Sequence, residues 1–294
     1  MHFLGAIDAP AGPTDRPGVS SPVRMSTDDF VREYFQRRAV IRTVDDIRRH
    51  ACLYLERAHT LGVRHVEIMV ALPLFPEFPI ASVLGAFQES FHTASRRHGT
   101  SGGVVVDMIR DAGPEHAMRL LDKTARCDPG VVAGFGLGGA ENSHPPSAFT
   151  QVFQSARALG YRTSVHVGEQ VRGTILETLL ALRPDRVEHA TTVLEEPKAT
   201  ALLARNRTPV TVCLTSNERL GVVPPGAHPL RAMLEAGLNV SLHTDDPAIF
   251  GCDLVSEYCK AGREYGMDIP ELRRLAANSF QSCFIGAGRC ESTT

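Results

Sequence analysis

Charge of either sign is nearly absent in the net. The 294-residue chain carries 31 Lys and Arg against 33 Asp and Glu, a formal charge of −2. That balance leaves no large field to hold nucleic acid or an anionic membrane surface, so a small neutral molecule is the expected partner. Long apolar runs are also lacking: none approaches the roughly 20 residues needed to cross a bilayer. The opening Met1-His2-Phe3-Leu4-Gly5 has neither the basic nor the apolar region of a secretion signal, which points to a cytoplasmic protein. The seven cysteines are odd in number and scattered, with no Cys-x-x-Cys pair, arguing against both a disulfide framework and a cysteine zinc site. Oligomeric state is left open, a homo-oligomer included.

What is present is a chain with 43% hydrophobic residues, long enough to bury a sizeable core and read as one domain over 1–294. Four prolines and two glycines between Asp8 and Met25 predict an irregular loop near the pocket. Ser26, three residues before Asp29, resembles a helix cap, with Phe30, Val31, Tyr34 and Phe35 following at helical spacing. A second amphipathic helix is expected from Val44 to Leu61, with Ile47, Ala51, Leu53, Leu55 and Ala58 as its core face. Seven short runs rich in Val, Ile and Thr then alternate with helical segments: Val63–Ala71, Gly103–Ile109, Val131–Leu137, Arg162–Val167, Arg186–His189, Pro209–Leu214 and Asn239–His243. Near-continuous apolar strands separated by crossover-length segments are the pattern of parallel sheets buried on both faces.

Two observations favour a (β/α)8 barrel over an open doubly wound sheet. Gly134-Phe-Gly-Leu-Gly138 continues into Gly139-Ala-Glu rather than a helix start, so no dinucleotide fingerprint joins strand to helix. Polar residues also collect where runs end: His166 and Glu169, His189, Thr215-Ser216-Asn217, and His243, Asp245 and Asp246. A barrel gathers such carboxyl ends around one pocket. Only seven runs are found, and the missing strand is expected to be the first, before His2.

Imidazole and carboxylate donors at one mouth suit a divalent ion such as zinc, which lowers the pKa of bound water to about 7. Glu169, one short turn from His166, is placed to pass a proton to a leaving group or ring nitrogen. The chemistry implied is metal-assisted hydrolysis. Taken singly, each histidine is more often a hydrogen-bonded structural residue than a ligand, and Asp245-Asp246-Pro247 more often a turn or cap. The case lies in their recurrence on successive strand ends.

His166-Val-Gly-Glu169, Val187-Glu-His189-Ala190, Cys213-Leu-Thr-Ser-Asn217 and Ser241-Leu-His-Thr-Asp-Asp-Pro-Ala-Ile-Phe-Gly251 resemble, in order, the sequence blocks of the adenosine deaminase family. Gly134-Phe-Gly-Leu-Gly-Gly-Ala-Glu141 is similar to that family's Gly-Phe-Asp-Leu-Ala-Gly-x-Glu block. The resemblance runs from about residue 30 to 285 and implies a (β/α)8 barrel with one Zn2+ per chain. It also implies attack of water on C6 of a 6-aminopurine, with release of ammonia. Carried over residue by residue, it makes His2, His166 and Asp245 metal ligands and Glu169 the acid that protonates N1. His189 would orient and deprotonate the attacking water, Asp246 would contact N7, and the Gly139 backbone N–H would hold N3. The other zinc deaminase signature, His-x-Glu with Pro-Cys-x-x-Cys, is absent.

The chain departs from that family at its start, where Met1-His2-Phe3-Leu4-Gly5 stands in place of His-x-His-Leu-Asp/Glu/Asn-Gly. The first histidine is missing, and the acidic or amide residue is Leu4. A start placed too late is the expected explanation, because Glu169, Asp245 and Asp246 all persist. Leu4 and Gly136, the latter in place of the family's Asp, point away from adenosine toward a 5′-modified nucleoside. The alternatives are a catalytically impaired purine-binding barrel of the same family and a metal hydrolase acting on a non-purine amine.

Overall fold

The computed structural model of the chain describes residues 6–7 and 24–285. Within them the seven apolar runs become seven strands: β1 (His65–Val70), β2 (Ser101–Ile109), β3 (Val132–Gly138), β4 (Arg162–Val167), β5 (Arg186–His189), β6 (Pro209–Val212) and β7 (Asn239–Leu242). Each pairs in parallel with its sequence neighbour, in the order β1 to β7. The helices are α1 (Thr27–Arg38), α2 (Val44–Thr60), α3 (Ile80–His98), α4 (Pro114–Cys127), α5 (Thr150–Ala158), α6 (Ile175–Leu182), α7 (Pro197–Asn206), α8 (Leu214–Arg219), α9 (Leu230–Glu235), α10 (Pro247–Phe250), α11 (Leu254–Glu264) and α12 (Ile269–Gln281). This alternation is the βα repeat of a parallel barrel.

Side-chain contacts across the sheet show that it is curled. Flat, β1 and β5 would stand roughly 19 Å apart at the usual strand spacing of about 4.8 Å. Yet Arg186 Nη1 on β5 lies 2.6 Å from Glu67 Oε2 on β1, so the two strands face one another across a barrel interior. Among the described residues β1 and β7 are not paired with each other, which agrees with a (β/α)8 barrel lacking its first strand. His2, before which that strand is expected, lies outside the described residues, as does loop segment 8–23. A cavity of about 650 Å³ is lined by β1 (His65, Val66, Glu67), by Leu242 at the end of β7 and His243 after it, by Tyr54 of α2, and by residues of α11 and α12.

The local signals behave as their chemistry dictates. Ser26 accepts a hydrogen bond from the Asp29 N–H at 3.1 Å and caps α1. Thr43 and Asp46 form a reciprocal capping box that starts α2. Ile47, Ala51, Leu55 and Ala58 are buried on one face of α2, but Leu53 is 55% exposed and corrects the expected core face. Six residues after Ile47 are about 600° of helical turn, which puts Leu53 some 120° off the buried stripe. The amino end of the barrel is plugged from outside the repeat. Phe284 and Ile285, following α12, pack on Met69, Val105 and Ala133. Gly103 and Gly134 make the room: a Cβ on the first would lie 2.3 Å from Ile285, and on the second 2.9 Å from Phe284.

Candidate active site

Five of the side chains picked out by sequence meet at the carboxyl ends of β4, β5 and β7. His166 is the penultimate residue of β4, with Glu169 in the turn beyond it; His189 ends β5; Asp245 and Asp246 follow β7. The His166 and His189 rings stand 5.1 Å apart between centroids. His189 Nδ1 lies 3.5 Å from Glu169 Oε1. Asn217 Nδ2, in α8, stands 3.2 Å from both Glu169 Oε1 and His189 Nδ1, donating to the first. Ser216 Oγ donates to Asp245 Oδ2. His189, Ala190 and Asp245 have φ values of 64°, 50° and 57°. Left-handed backbone at non-glycine residues costs of order 1–3 kcal/mol each, and here it turns the side chains of two strand ends into one space.

Burial sets the protonation states. It pushes the Glu169 carboxyl up to about 6, with His189 opposing and Asp245 and Glu141 adding to the rise. Burial, then the neighbouring Asp245, raises Asp246 well above the carboxylate range. Burial alone would depress His189, but Glu169, Asp245 and Glu188 outweigh it and raise the imidazole pKa. His166 goes the other way, down to about 4, through burial and the adjacent His189. The group therefore offers a carboxylic acid, a basic imidazole and a neutral imidazole within a few ångströms.

The donor chemistry fits a divalent ion. Ligand atoms of His189, Cys213 and Asp245 lie within 4.8 Å of one another, and the neutral His166 ring stands beside His189. Sequence sets the cysteines aside as a zinc site, but Cys213, directly after β6, reaches this donor group. His2 and Leu4 lie outside the described residues. Gly139 follows β3 at φ 89°, where an added Cβ would lie 2.5 Å from Asp111 Oδ2, so only glycine fits that turn. Asp111 in turn accepts the Ala140 N–H at 2.9 Å.

Other residues at the mouth carry no distinctive sequence signal beyond the blocks that contain them. Asn217 and Ser216 are visible in sequence as polar residues after a strand and as letters of one such block, with no sign of what they bind. Glu257 of α11 accepts the Leu214 N–H at 2.8 Å and so anchors the start of α8, which carries both. Tyr34 of α1 is partly buried, which raises its phenol, and the charges of Asp246, Asp107 and Asp245 raise it further.

A barrel that brings an acid, an imidazole base and N/O/S donors together at its carboxyl mouth is a metal-assisted hydrolase site in form. The chain belongs to the adenosine deaminase family, whose model, described as adenosine deaminase, matches residues 13–292. It is a hydrolytic deaminase. Among curated proteins it is 37% identical over 266 residues to an adenine deaminase of Rhodopseudomonas palustris, covering 87% of this chain and 76% of that one. An adenine deaminase of Streptomyces coelicolor is 36% identical over 262 residues, with the same coverage. Among solved structures, an adenine deaminase from Arthrobacter aurescens superposes with a TM-score of 0.84 at 32% identity, covering 90% of this chain and 81% of that one. An amidohydrolase from Burkholderia ambifaria, solved with bound zinc, gives 0.83 at 25% identity, over 97% and 84% of the two chains. Among the described residues no helix is long and apolar enough to cross a membrane.

Proposed function

We propose that the protein deaminates a 6-aminopurine, replacing the amino group at C6 by oxygen and releasing ammonia, with one zinc ion per chain. The observation that carries this reading is the pairing of Glu169, raised to about 6 and hence a competent acid near neutrality, with His189 at 3.5 Å. His166 and Asp245 would hold the zinc, with His2 assigned as third ligand from sequence alone. Zinc there supplies a water acidic enough to attack at neutral pH. Glu169 protonates N1 as C6 is attacked. His189 orients the attacking water and takes its proton, helped by the Glu169 and Asp245 charges that raise its basicity. Asp246, raised well above the carboxylate range, is a hydrogen-bond donor for N7, and the Gly139 N–H meets N3.

The free base adenine is the substrate we favour, because the curated relatives at 37% and 36% identity are adenine deaminases. The sequence expectation of a 5′-modified nucleoside rests mainly on Leu4, outside the described residues, and serves as the second arm of the test. Ammonia release by the zinc-loaded protein from adenine, adenosine, 5′-deoxyadenosine and 5′-methylthioadenosine should give the highest kcat/KM with adenine. A nucleoside leading by tenfold or more would overturn the choice of base. No ammonia from any of the four would overturn purine deamination and favour the impaired, purine-binding reading.

A further inference from the structure

The block that ends in Glu141 contributes a residue that the proposed chemistry does not use. Glu141 follows the turn after β3 and is 6% exposed. Its carboxylate points away from the reacting groups, into the backbone of the neighbouring loop. Oε2 accepts the Gly168 N–H at 2.9 Å, and Oε1 accepts the N–H groups of Glu169 and Gln170, each at 2.9 Å. Three successive amides of the loop that carries Glu169 are thus gathered on one side chain. Buried N–H groups must find acceptors, and this turn has no helix or strand ladder to supply them.

The clamp is held at both ends. The Glu141 carbonyl accepts from Arg110 Nη1 at 3.3 Å, and the same guanidinium donates through Nη2 to the His166 carbonyl at 3.1 Å. Gly168 takes the turn at φ 70°, where an added Cβ would lie 2.6 Å from Ile175 and 2.9 Å from Thr192, so only glycine fits. Its carbonyl accepts from Thr191 Oγ1 at 2.5 Å. Every backbone group of the Gly168 peptide is therefore fixed by a neighbouring loop, and the direction in which the Glu169 side chain leaves the backbone is fixed with it.

We infer that Glu141 is a positioning residue: by holding the N–H groups of residues 168–170 it sets where the Glu169 carboxyl stands. This rests on the proposed role of Glu169 as the acid. An amide at the same place must present its NH2 to at least one of the three donors, so Glu141→Gln breaks the clamp with almost no change of volume. Misplacement of a reacting group by about 1 Å can cost up to 10²-fold in rate.

The test compares the zinc-loaded parent, Glu141→Gln, Glu169→Gln and the double variant, with kcat and KM for adenine and amide hydrogen exchange of residues 168–170. Glu141→Gln should lower kcat by about tenfold or more, leave KM within about threefold and keep the zinc. In the Glu169→Gln background the same change should cost less than about twofold, because the group it positions is already disabled. Exchange at 168–170 should speed up in both backgrounds. Glu141→Asp keeps the charge but pulls it back from the loop, and should fall between parent and Glu141→Gln. An equal loss in both backgrounds, or unchanged exchange at 168–170, would overturn the inference. Should the parent itself fail to deaminate any aminopurine, the functional reading falls, and the exchange result alone then decides whether Glu141 holds the loop.

Discussion

Two buried clusters of charge lie in the same barrel and behave in opposite ways. In its interior, Arg186 of β5 sits between Glu67 at 2.6 Å and Glu188 at 3.0 Å, with its guanidinium over the Phe284 ring at 4.0 Å. Burial would raise both glutamates, but the Arg186 charge dominates, holding Glu67 down to about 2 and Glu188 below the usual carboxylate range. At the mouth Asp245, Asp246 and Glu169 share a space, and there the pull of Arg37 on Asp246 is too weak to offset burial, so Glu169 and Asp246 are pushed up. The same residue types become fixed charges in one place and protonatable groups in the other. The difference is whether a permanent cation is bonded directly to the buried carboxylates.

The largest effect expected at the mouth is from Asp245→Ala. It removes the carboxylate proposed to hold the zinc together with His166, so zinc content and deamination should both fall to background. Zinc retained at the parental level by metal analysis would remove Asp245 from the ligand set.

In the interior, the corresponding break is Arg186→Met, which strands two buried carboxylates and should cost about 3–5 kcal/mol of stability. Urea unfolding measures it. Adding Glu67→Gln and Glu188→Gln should restore a large part of the loss, since no charge is then left unpaired. A loss within about 1 kcal/mol for Arg186→Met alone, well below the usual cost of such a break, would mean that the interior is wetter than its burial indicates.

Glu169→Gln sharpens the contrast at a smaller scale. It preserves shape and the Asn217 contact region but cannot deliver a proton to N1, and should lower kcat by about 10² with zinc unchanged. Deamination at the parental rate would sink the acid assignment.

Much of this was legible in sequence, for a physical reason. Strands buried on both faces are near-continuous apolar runs, so all seven were found within two residues of their ends. His166, Glu169, His189, Asp245 and Asp246 could be grouped because a barrel brings strand ends together whatever their separation in sequence. The interior cluster was not legible: Glu67 and Arg186 are 119 residues apart, and nothing in either run says that the two strands face one another. Glu141 and Asn217 were visible as letters of sequence blocks but not as acceptor or donor, since a carboxylate that binds backbone N–H groups has no partner residue type to betray it. Leu53 failed for a simpler reason: apolar character was counted without its helical angle.

Asp107 of β2 offers the last and smallest test, because it combines features of both clusters. It is 5% exposed like the interior glutamates, yet has no cation beside it among the described residues, and burial lifts it to about 7 against a partial offset from the Gly138 backbone. In the unfolded chain an aspartate titrates near 3.9. Between about pH 4 and 7 the folded protein therefore holds a proton that the unfolded chain has released, and linkage makes stability fall as pH rises through that window. His166, with its pKa lowered to about 4, works in the opposite sense, removing stability as pH drops below 6.5. The difference between parent and Asp107→Asn isolates the carboxyl. From pH 5 to pH 8 the Asn variant should lose less stability than the parent, by an amount on the order of a few kcal/mol at most. Parallel pH profiles for the two proteins would show that Asp107 finds a compensating partner once it ionises, and would move it from the mouth's class of carboxyl to the interior's.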